Sequence, residues 1–341
     1  MNSTNKKAYL NCIDYLLAPI EVTNENLVER YPEFTKEDIY KKTQINKRYN
    51  LPKNSLVSDF ATLAGDVFFK KHNVDKFEID YFIFCTESPD YTAPATSCII
   101  QYKLGLRQDV GTMDLSFGCS GYTYGLLYAK ALIESKLATK VLFITADMPT
   151  LALSEEQSDY NFLFSDGASV SVISDEEVGF EIGDFVNGTD GGGEKNLRIQ
   201  SSGYHAPKNI NWYTNSKTKN LLNGIVEMEG EELFRFAIQK VPVLVRDILN
   251  KNQCDIEDID LFVFHQASSL ILKSLKRKLK IPDEKFIINI NEFGNTVSAS
   301  IPIALEQARQ NKLISPKMKI MLVGFGVGYS WSGTVIERCL I

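Results

Sequence analysis

Three polar side chains lie where a strand-like run of residues meets a helix-like run. Cys119 interrupts "DLSFGCSGYTYGLL", between a short apolar run and a segment with helical periodicity. His265 ends the apolar run "IDLFVF" and precedes "ASSLILKSLKRKL", and Asn295 follows Gly294 in "NEFGNTVSASIPIAL". Because functional groups of α/β sheets collect at the carboxyl ends of strands, these side chains are candidates for one active site.

Cys119 is the candidate nucleophile. The unpaired N–H groups and the dipole of a helix N-terminus favour an anion, so we expect the pKa of this thiol to be lowered. Gly118 and Gly121 allow the backbone to turn tightly and a substrate to approach. The usual role of a cysteine is a buried structural one, which we expect for Cys12, Cys85, Cys98, Cys254 and Cys339.

His265 and Asn295 are candidate hydrogen-bond donors. Each has an ordinary structural alternative, because a lone histidine is more often structural and Asn is a good helix N-cap. The turn Gly326-Val327-Gly328 follows the apolar run "IMLVGF" and can direct backbone N–H groups at an oxyanion. His72 and His205 lie in a Lys-rich helix and a polar loop, so we interpret both as structural.

The elements that would position these residues recur along the chain. "EIDYFIFCTES" begins at Glu78 and "DIDLFVFHQAS" begins at Asp258, 180 positions later (258 − 78). The runs "VLFITAD" and "IMLVGFG" are separated by 179 positions (320 − 141), and a helical segment precedes each. This spacing predicts an α/β fold made of two copies of one strand–helix–strand unit, with halves at 1–175 and 176–341. Ordinary βαβ recurrence would give a similar pattern and stays an alternative.

The composition bounds the class of protein. The chain has 341 residues, 44% of them hydrophobic, and a net charge of −6, which argues against a broad nucleic-acid surface. Its six cysteines form no CxxC pair, so we expect reduced thiols and no metal site. No run approaches the roughly 20 apolar residues of a membrane span, and the N-terminus reads as a first strand. We therefore expect a cytoplasmic protein.

Five segments, taken together and in this order, resemble β-ketoacyl-acyl-carrier-protein synthase III of the thiolase-like superfamily. They are "FGCSGYTYGL", "FLFSDGASV", "FHQASSLILKSLKRKL", "FGNTVSASIPIAL" and "GFGVGYSWSG". The resemblance implies a duplicated five-layered αβαβα fold, a homodimer, thioesters of coenzyme A or acyl carrier protein as substrates, and no cofactor. It implies that Cys119 accepts the acyl group, that His265 and Asn295 hold the malonyl thioester during decarboxylation, and that residues 326–328 bind an oxyanion.

The chain also departs from the family pattern. A Trp and two Arg that grip coenzyme A in acetyl-CoA-dependent members fall near Asp38, Lys42 and Ser158, which puts acetyl-CoA as primer in doubt. A bulky aromatic that limits the acyl pocket across the dimer falls at Ala93, so we expect room for a larger acyl group. A specialised acyl or secondary-metabolite pathway would fit both departures.

Two further features follow from the resemblance. Glu87, in "CTES", matches a catalytic glutamate of hydroxymethylglutaryl-CoA synthases and is a possible extra base, although a surface or dimer-contact glutamate is the more common interpretation. Basic residues near the expected entrance form a candidate docking site for acyl carrier protein, with a solvated charged face as an equal alternative. They are Arg235, Lys273, Lys276, Arg277 and Lys278.

Decarboxylative condensation is the leading hypothesis for the function. A transferase that passes the acyl group from Cys119 to an alcohol or amine is the second, but it would not need the His265–Asn295 pair. A non-catalytic partner subunit is the third, and such subunits commonly lack the cysteine that is present here.

Overall fold

The structure is a computed structural model that describes residues 6–154, 156–200 and 225–340. His205 and the loop expected around 205–220 lie outside the described residues. The strands are β1 (Tyr9–Leu17), β2 (Ile20–Thr23), β3 (Lys47–Asn50), β4 (Tyr81–Cys85), β5 (Gly111–Leu115), β6 (Lys140–Asp147), β7 (Gly167–Ser174), β8 (Phe180–Ile182), β9 (Val186–Thr189), β10 (Leu197–Gln200), β11 (Ile225–Met228), β12 (Leu261–Phe264), β13 (Lys319–Gly326) and β14 (Ser330–Arg338). The helices are α1 (Asn24–Arg30), α2 (Lys36–Thr43), α3 (Val57–His72), α4 (Thr96–Leu104), α5 (Gly121–Glu134), α6 (Ser158–Asn161), α7 (Gly230–Lys251), α8 (Ser269–Leu279), α9 (Ile290–Phe293) and α10 (Ser300–Gln310).

Strand pairing reproduces the repeat expected from the sequence. Strands β4 and β6 are parallel with Tyr81 opposite Val141, and β12 and β13 are parallel with Leu261 opposite Ile320. Corresponding residues of the two pairs have the offsets found in the sequence. Leu261 follows Tyr81 by 180 positions (261 − 81), and Ile320 follows Val141 by 179 (320 − 141). The full strand order is β12-β13-β14-β8-β1-β7-β6-β4-β5, with β9 also paired to β14. The division at residues 175 and 176 stays a prediction.

Three hydrophobic cores separate five layers. The central core contains α5 and α10 between the two halves of the sheet, the second core lies under α3 and α4, and the third lies under α7 and α8. Helix α5 is buried on most sides, as expected for a helix between two sheet layers, and Gly125 lets it approach Phe143. The duplicated five-layered αβαβα fold is thereby confirmed.

The N-terminal strand is confirmed as β1, which pairs with β7. The expectation of a loop over 187–196 is partly wrong, because β9 pairs with β14 and a 3₁₀ helix covers Gly191–Asn196. Gly188 allows this pairing, since a Cβ there would lie 2.2 Å from the Trp331 ring. Among the described residues, none of the helices has both the length and the apolar character needed to cross a membrane. The same residues contain no cluster of metal-binding side chains.

Candidate active site

Cys119 lies in the turn that joins β5 to α5. The residue is 8% exposed, and Ser120 is the N-cap of the helix. Two glycines of β13 allow the strand to pack onto this turn. A Cβ on Gly326 would lie 2.7 Å from Cys119 Sγ, and a Cβ on Gly324 would lie 2.8 Å from the Ser120 Cα. The cysteine is therefore held by a backbone approach that larger residues would prevent.

Two cavities meet at Cys119. The first, which we call the His265 cavity, has a volume of about 290 Å³ and is lined by Cys119, His265 and Asn295 together with apolar residues of α7 and α8. The second, the Glu87 cavity, has a volume of about 240 Å³ and contains Cys119 and Glu87 in its lining. The structure thus places the three residues singled out at strand ends around one space, and Glu87 in a second cavity that shares Cys119 with the first.

His265 is oriented by a residue that sequence reasoning missed. Its Nδ1 lies 2.6 Å from the Ser300 hydroxyl, which also accepts a hydrogen bond from the Gln266 N–H at 3.4 Å. Because the hydroxyl accepts from Gln266, its own hydrogen can point at Nδ1, which leaves the ring proton on Nε2. Burial lowers the pKa of His265 to about 3, against the opposing effect of the Val297 carbonyl. The ring is consequently neutral at physiological pH.

Asn295 is fixed through both its backbone and its side chain. Its N–H donates to the Leu163 carbonyl at 2.9 Å, and its carbonyl accepts from the Ser165 N–H at 3.0 Å. The side-chain oxygen accepts from the Val297 N–H at 2.9 Å, and Nδ2 donates to the Ala267 carbonyl at 3.1 Å. An amide nitrogen carries two hydrogens, so the second is available to a group in the His265 cavity.

The expected lowering of the Cys119 pKa is wrong. Burial, followed by the nearby Glu87 carboxylate, raises the pKa of the thiol to about 12. The Val327 N–H and the N–H of Cys119 itself act in the opposite direction. The helix N-terminus is present, but loss of contact with water outweighs it.

Glu87 is half-buried and lines the space at Cys119, so it is not a fully exposed surface residue, and a contact across a dimer stays a prediction. Its carboxyl rests on Gly118, where a Cβ would lie only 2.1 Å from Glu87 Oε2. Burial, followed by repulsion from Asp147, raises the pKa of Glu87 to about 8. Asp147, a second residue missed from sequence, accepts hydrogen bonds from the Glu87 N–H at 2.7 Å and the Ser298 N–H at 3.1 Å.

The turn Gly326-Val327-Gly328 lies at the cysteine, as expected. Gly326 lines the His265 cavity, and Val327 lines the Glu87 cavity. The Ser330 hydroxyl donates to the Val327 carbonyl at 2.8 Å and fixes the turn. Gly328 has a φ of +132°, which favours glycine at this position.

Ala93 is not brought to the site within one chain. It is exposed, and it lines neither of the two cavities at Cys119. Its expected role across a dimer therefore stays a prediction.

The five basic residues of the expected docking site differ in their contacts. Lys273 and Arg277 are exposed on α8, whose Leu270 and Ile271 line the His265 cavity. The other three are engaged with neighbouring groups: Arg235 with Glu232 at 2.9 Å, Lys276 with Asp283 at 2.5 Å, and Lys278 with the Ile238 carbonyl at 2.8 Å.

The positions expected to grip coenzyme A have other roles. Asp38 accepts a hydrogen bond from the Thr35 N–H at 3.0 Å in a capping box at the start of α2. Lys42 forms an ion pair with Asp159, next to Ser158. These contacts agree with the departures seen in the sequence.

A duplicated five-layered α/β fold, with a cysteine at the start of its central helix and a histidine and an asparagine across a shared cavity, defines a condensing enzyme of the thiolase-like superfamily. Comparison with known proteins identifies the family within this superfamily. Residues 113–191 match the family model 3-oxoacyl-[acyl-carrier-protein] synthase III, and residues 249–338 match its C-terminal model. The first range contains Cys119, and the second contains His265 and Asn295.

Whole-chain relatives agree with the family models. The β-ketoacyl-[acyl-carrier-protein] synthase III of Clostridium tetani is 33% identical over 98% of this chain and 99% of its own length. A crystal structure of a 3-oxoacyl-(acyl-carrier-protein) synthase III is 36% identical, with a TM-score of 0.90, over 97% of this chain and 99% of that one. A 3-oxoacyl-(acyl-carrier protein) synthase from Burkholderia xenovorans LB400 is 27% identical, with a TM-score of 0.87, over 99% and 95% of the two chains. This chain belongs to the β-ketoacyl-acyl-carrier-protein synthase III family.

Proposed function

We propose that the enzyme joins an acyl group, carried on Cys119, to malonyl-acyl carrier protein and releases carbon dioxide and a β-ketoacyl thioester. The observation that carries this proposal is the His265 cavity, in which two fixed hydrogen-bond donors and the candidate nucleophile line one space. A transferase that forms no carbon–carbon bond would use the cysteine, but it would need neither of the two donors, His265 and Asn295.

In the first step, Cys119 Sγ attacks the carbonyl carbon of an acyl thioester. The tetrahedral oxyanion accepts hydrogen bonds from backbone N–H groups at Cys119 and in the 326–328 turn. The bond to the leaving sulfur then breaks, and the proton of the Cys119 thiol ends on the released thiol. One difficult condensation is thereby divided into two easier steps.

In the second step, the malonyl thioester occupies the His265 cavity. His265 Nε2–H and the free Asn295 Nδ2–H donate to its thioester oxygen, so they stabilise the enolate that forms when the carbon–carboxylate bond breaks. The electron pair of that bond becomes the new carbon–carbon bond to the acyl-Cys119 carbonyl. The carboxylate has by then left as carbon dioxide; collapse of the second oxyanion expels Cys119 as a thiolate, which takes a proton from water to restore the thiol.

Carrier protein is the favoured source of both thioesters. Lys42, at one of the positions expected to grip coenzyme A, is held in an ion pair with Asp159, the residue after Ser158. The exposed Lys273 and Arg277 lie on α8, whose Leu270 lines the His265 cavity, and they suit the acidic surface of a carrier protein. We infer that acyl carrier protein docks on this face of α8, and that acyl-CoA is a poorer primer. The homodimer, the cytoplasmic location and a specialised acyl pathway stay predictions.

Proton abstraction by Glu87 is the second candidate function, because Glu87 lies at the nucleophile with a raised pKa. However, Glu87 lines a different cavity from the one that His265 and Asn295 line. A base that activates the extender would be needed on the side of the two donors, so decarboxylation remains the better supported reaction.

The test combines a panel of acyl-carrier-protein and acyl-CoA thioesters with malonyl carrier protein, and follows Cys119 acylation and product mass. We expect an acyl-Cys119 adduct that is discharged to a product two carbons longer, with equimolar carbon dioxide. Cys119→Ala should abolish the adduct, whereas His265→Ala should spare the adduct and slow the release of carbon dioxide. Adducts that malonyl carrier protein never discharges would replace condensation by simple acyl transfer.

A further inference from the structure

The Glu87 cavity contains a carboxyl group whose hydrogen-bonding capacity is unused. Within residues 6–154, 156–200 and 225–340, no group hydrogen-bonds to the side-chain oxygens of Glu87, and its backbone N–H donates to Asp147 at 2.7 Å. Arg198 also lines the cavity, but its guanidinium is held by Glu227 and Glu194, each at 2.7 Å. Glu87 and the more exposed Ser116 are therefore the polar side chains of this cavity that are left to meet a ligand, and of these two Glu87 is the less exposed.

The position of Glu87 determines which part of a bound ligand its carboxyl contacts. Its carboxyl lies against Gly118, the residue before Cys119, so it is near the first carbons of an acyl group attached to that cysteine. His265 and Asn295 line the other cavity and act on the malonyl thioester. Much of the remaining lining of the Glu87 cavity is apolar and suited to an alkyl segment, including Pro149, Ala152, Ile199, Val226 and Val297.

An unsubstituted alkyl chain would be a poor occupant. It would exclude water from the Glu87 carboxyl without offering a partner, and leaving a buried polar group unpaired costs about 1–3 kcal/mol. That cost corresponds to a discrimination of roughly 5- to 150-fold. A site that holds a hydrogen-bonding group for a substrate hydroxyl rejects the analogue without the hydroxyl for the same reason.

The protonation state of Glu87 agrees with this role. Burial and the neighbouring Asp147 raise its pKa to about 8, so the carboxyl keeps its proton at neutral pH. A neutral carboxyl both donates and accepts hydrogen bonds. It can therefore pair with a hydroxyl or with a keto oxygen.

We propose, resting on the condensing function above, that Glu87 selects an acyl primer with a hydroxyl or keto oxygen on its second or third carbon. The carboxyl makes a hydrogen bond to that oxygen while the chain is attached to Cys119. The primer is thus an oxygenated short acyl group rather than a plain alkyl chain.

The experiment compares the rates of Cys119 acylation by butyryl and 3-hydroxybutyryl carrier protein, measured by mass spectrometry before malonyl carrier protein is added. Both enantiomers of the hydroxy compound are used. For the wild-type enzyme we expect 3-hydroxybutyryl to load roughly 10- to 100-fold faster than butyryl. Glu87→Gln should keep the preference, because an amide still forms the hydrogen bond. Glu87→Leu should reverse it, and Glu177→Leu, an exposed change of the same residue type, should leave it unchanged.

Each of the other outcomes overturns the proposal. Equal or faster loading of butyryl by the wild-type enzyme refutes it, as does a hydroxyl preference that survives Glu87→Leu. Normal loading of every thioester by Glu87→Gln, combined with loss of all condensation, would make Glu87 a base instead. Absence of acyl-Cys119 with every thioester would defeat the condensing function itself, and the selection by Glu87 with it.

Discussion

The reactivity of Cys119 toward an alkylating reagent distinguishes the thiol expected from sequence from the thiol in the structure. The perturbation is iodoacetamide treatment of the intact enzyme across pH 6 to 11. A thiol at a helix start would react quickly near neutral pH. The structure places the pKa at about 12, compared with a reference of 9.0, because burial and the Glu87 carboxylate disfavour the thiolate.

The magnitude follows from the pKa. At pH 8 a pKa of about 12 leaves roughly one thiolate in 10,000, compared with about one in four for a simple thiol of pKa near 8.5. A more basic thiolate is intrinsically more nucleophilic, with a Brønsted coefficient of about 0.4–0.5, which recovers part of this difference. We therefore expect Cys119 to react about two orders of magnitude more slowly than a simple thiol at pH 8.

Peptide mass spectrometry after timed quenching measures this rate at each pH. The exposed Cys98 provides an internal reference in the same sample and should be modified first. The Cys119 rate should rise about tenfold per pH unit through pH 10. Glu87→Gln should move this profile to lower pH by about one unit, because it removes a negative charge beside the sulfur. Modification of Cys119 before Cys98, with a plateau below pH 8, would refute the reasoning.

Three further predictions concern the groups around the cysteine. Ser300→Ala removes the hydroxyl that orients His265, so release of carbon dioxide from malonyl carrier protein should fall roughly tenfold while Cys119 acylation stays normal; equal losses in both steps would contradict a positioning role. Gly326→Ala places a methyl 2.7 Å from Cys119 Sγ and should abolish acylation with an unchanged circular dichroism spectrum, whereas normal acylation would contradict the packing at this turn. Folded Glu87 keeps its proton up to about pH 8 while the unfolded chain releases it near 4.5; wild-type stability should therefore decline relative to Glu87→Gln by about 3 kcal/mol between pH 5 and pH 8. Urea unfolding at both pH values measures this difference, and parallel pH profiles would exclude the raised pKa.

Much of the fold follows from local patterns. The apolar runs that form β4, β6, β12 and β13 predict the repeat, because parallel strands that are buried on both faces are almost continuously apolar in sequence. The rule that the carboxyl ends of strands meet at one edge of a sheet is enough to predict that Cys119 and His265 lie in one site. These predictions depend on features that each segment carries by itself.

The electrostatics of the site do not follow from local patterns. The pKa of Cys119 depends on burial and on Glu87, which lies 32 positions earlier (119 − 87) and reaches the cysteine only because Gly118 has no side chain. The tautomer of His265 depends on Ser300, which lies on a different element. The position of Cys119 at a helix start predicts one contribution to its pKa, which lowers it. Tertiary packing determines that burial, which raises the pKa, is the larger contribution.

The two cavities separate the charges that the reaction needs to keep apart. Decarboxylation places negative charge on the malonyl thioester, where His265 and Asn295 present hydrogen-bond donors. Glu87 lines the second cavity at Cys119, and its neighbour Asp147 is held by donors from Ser298 and the Glu87 N–H. Burial, followed by repulsion from Asp147, raises the pKa of Glu87 to about 8, so the Glu87 carboxyl keeps its proton at pH 7. A protonated Glu87 near Cys119 lets the acyl carbonyl accept the carbanion without repulsion from an ionised carboxylate at that position. The same arrangement leaves Glu87 free to form a hydrogen bond with the acyl group, so selection of the primer and stabilisation of the carbanion are carried out by different residues.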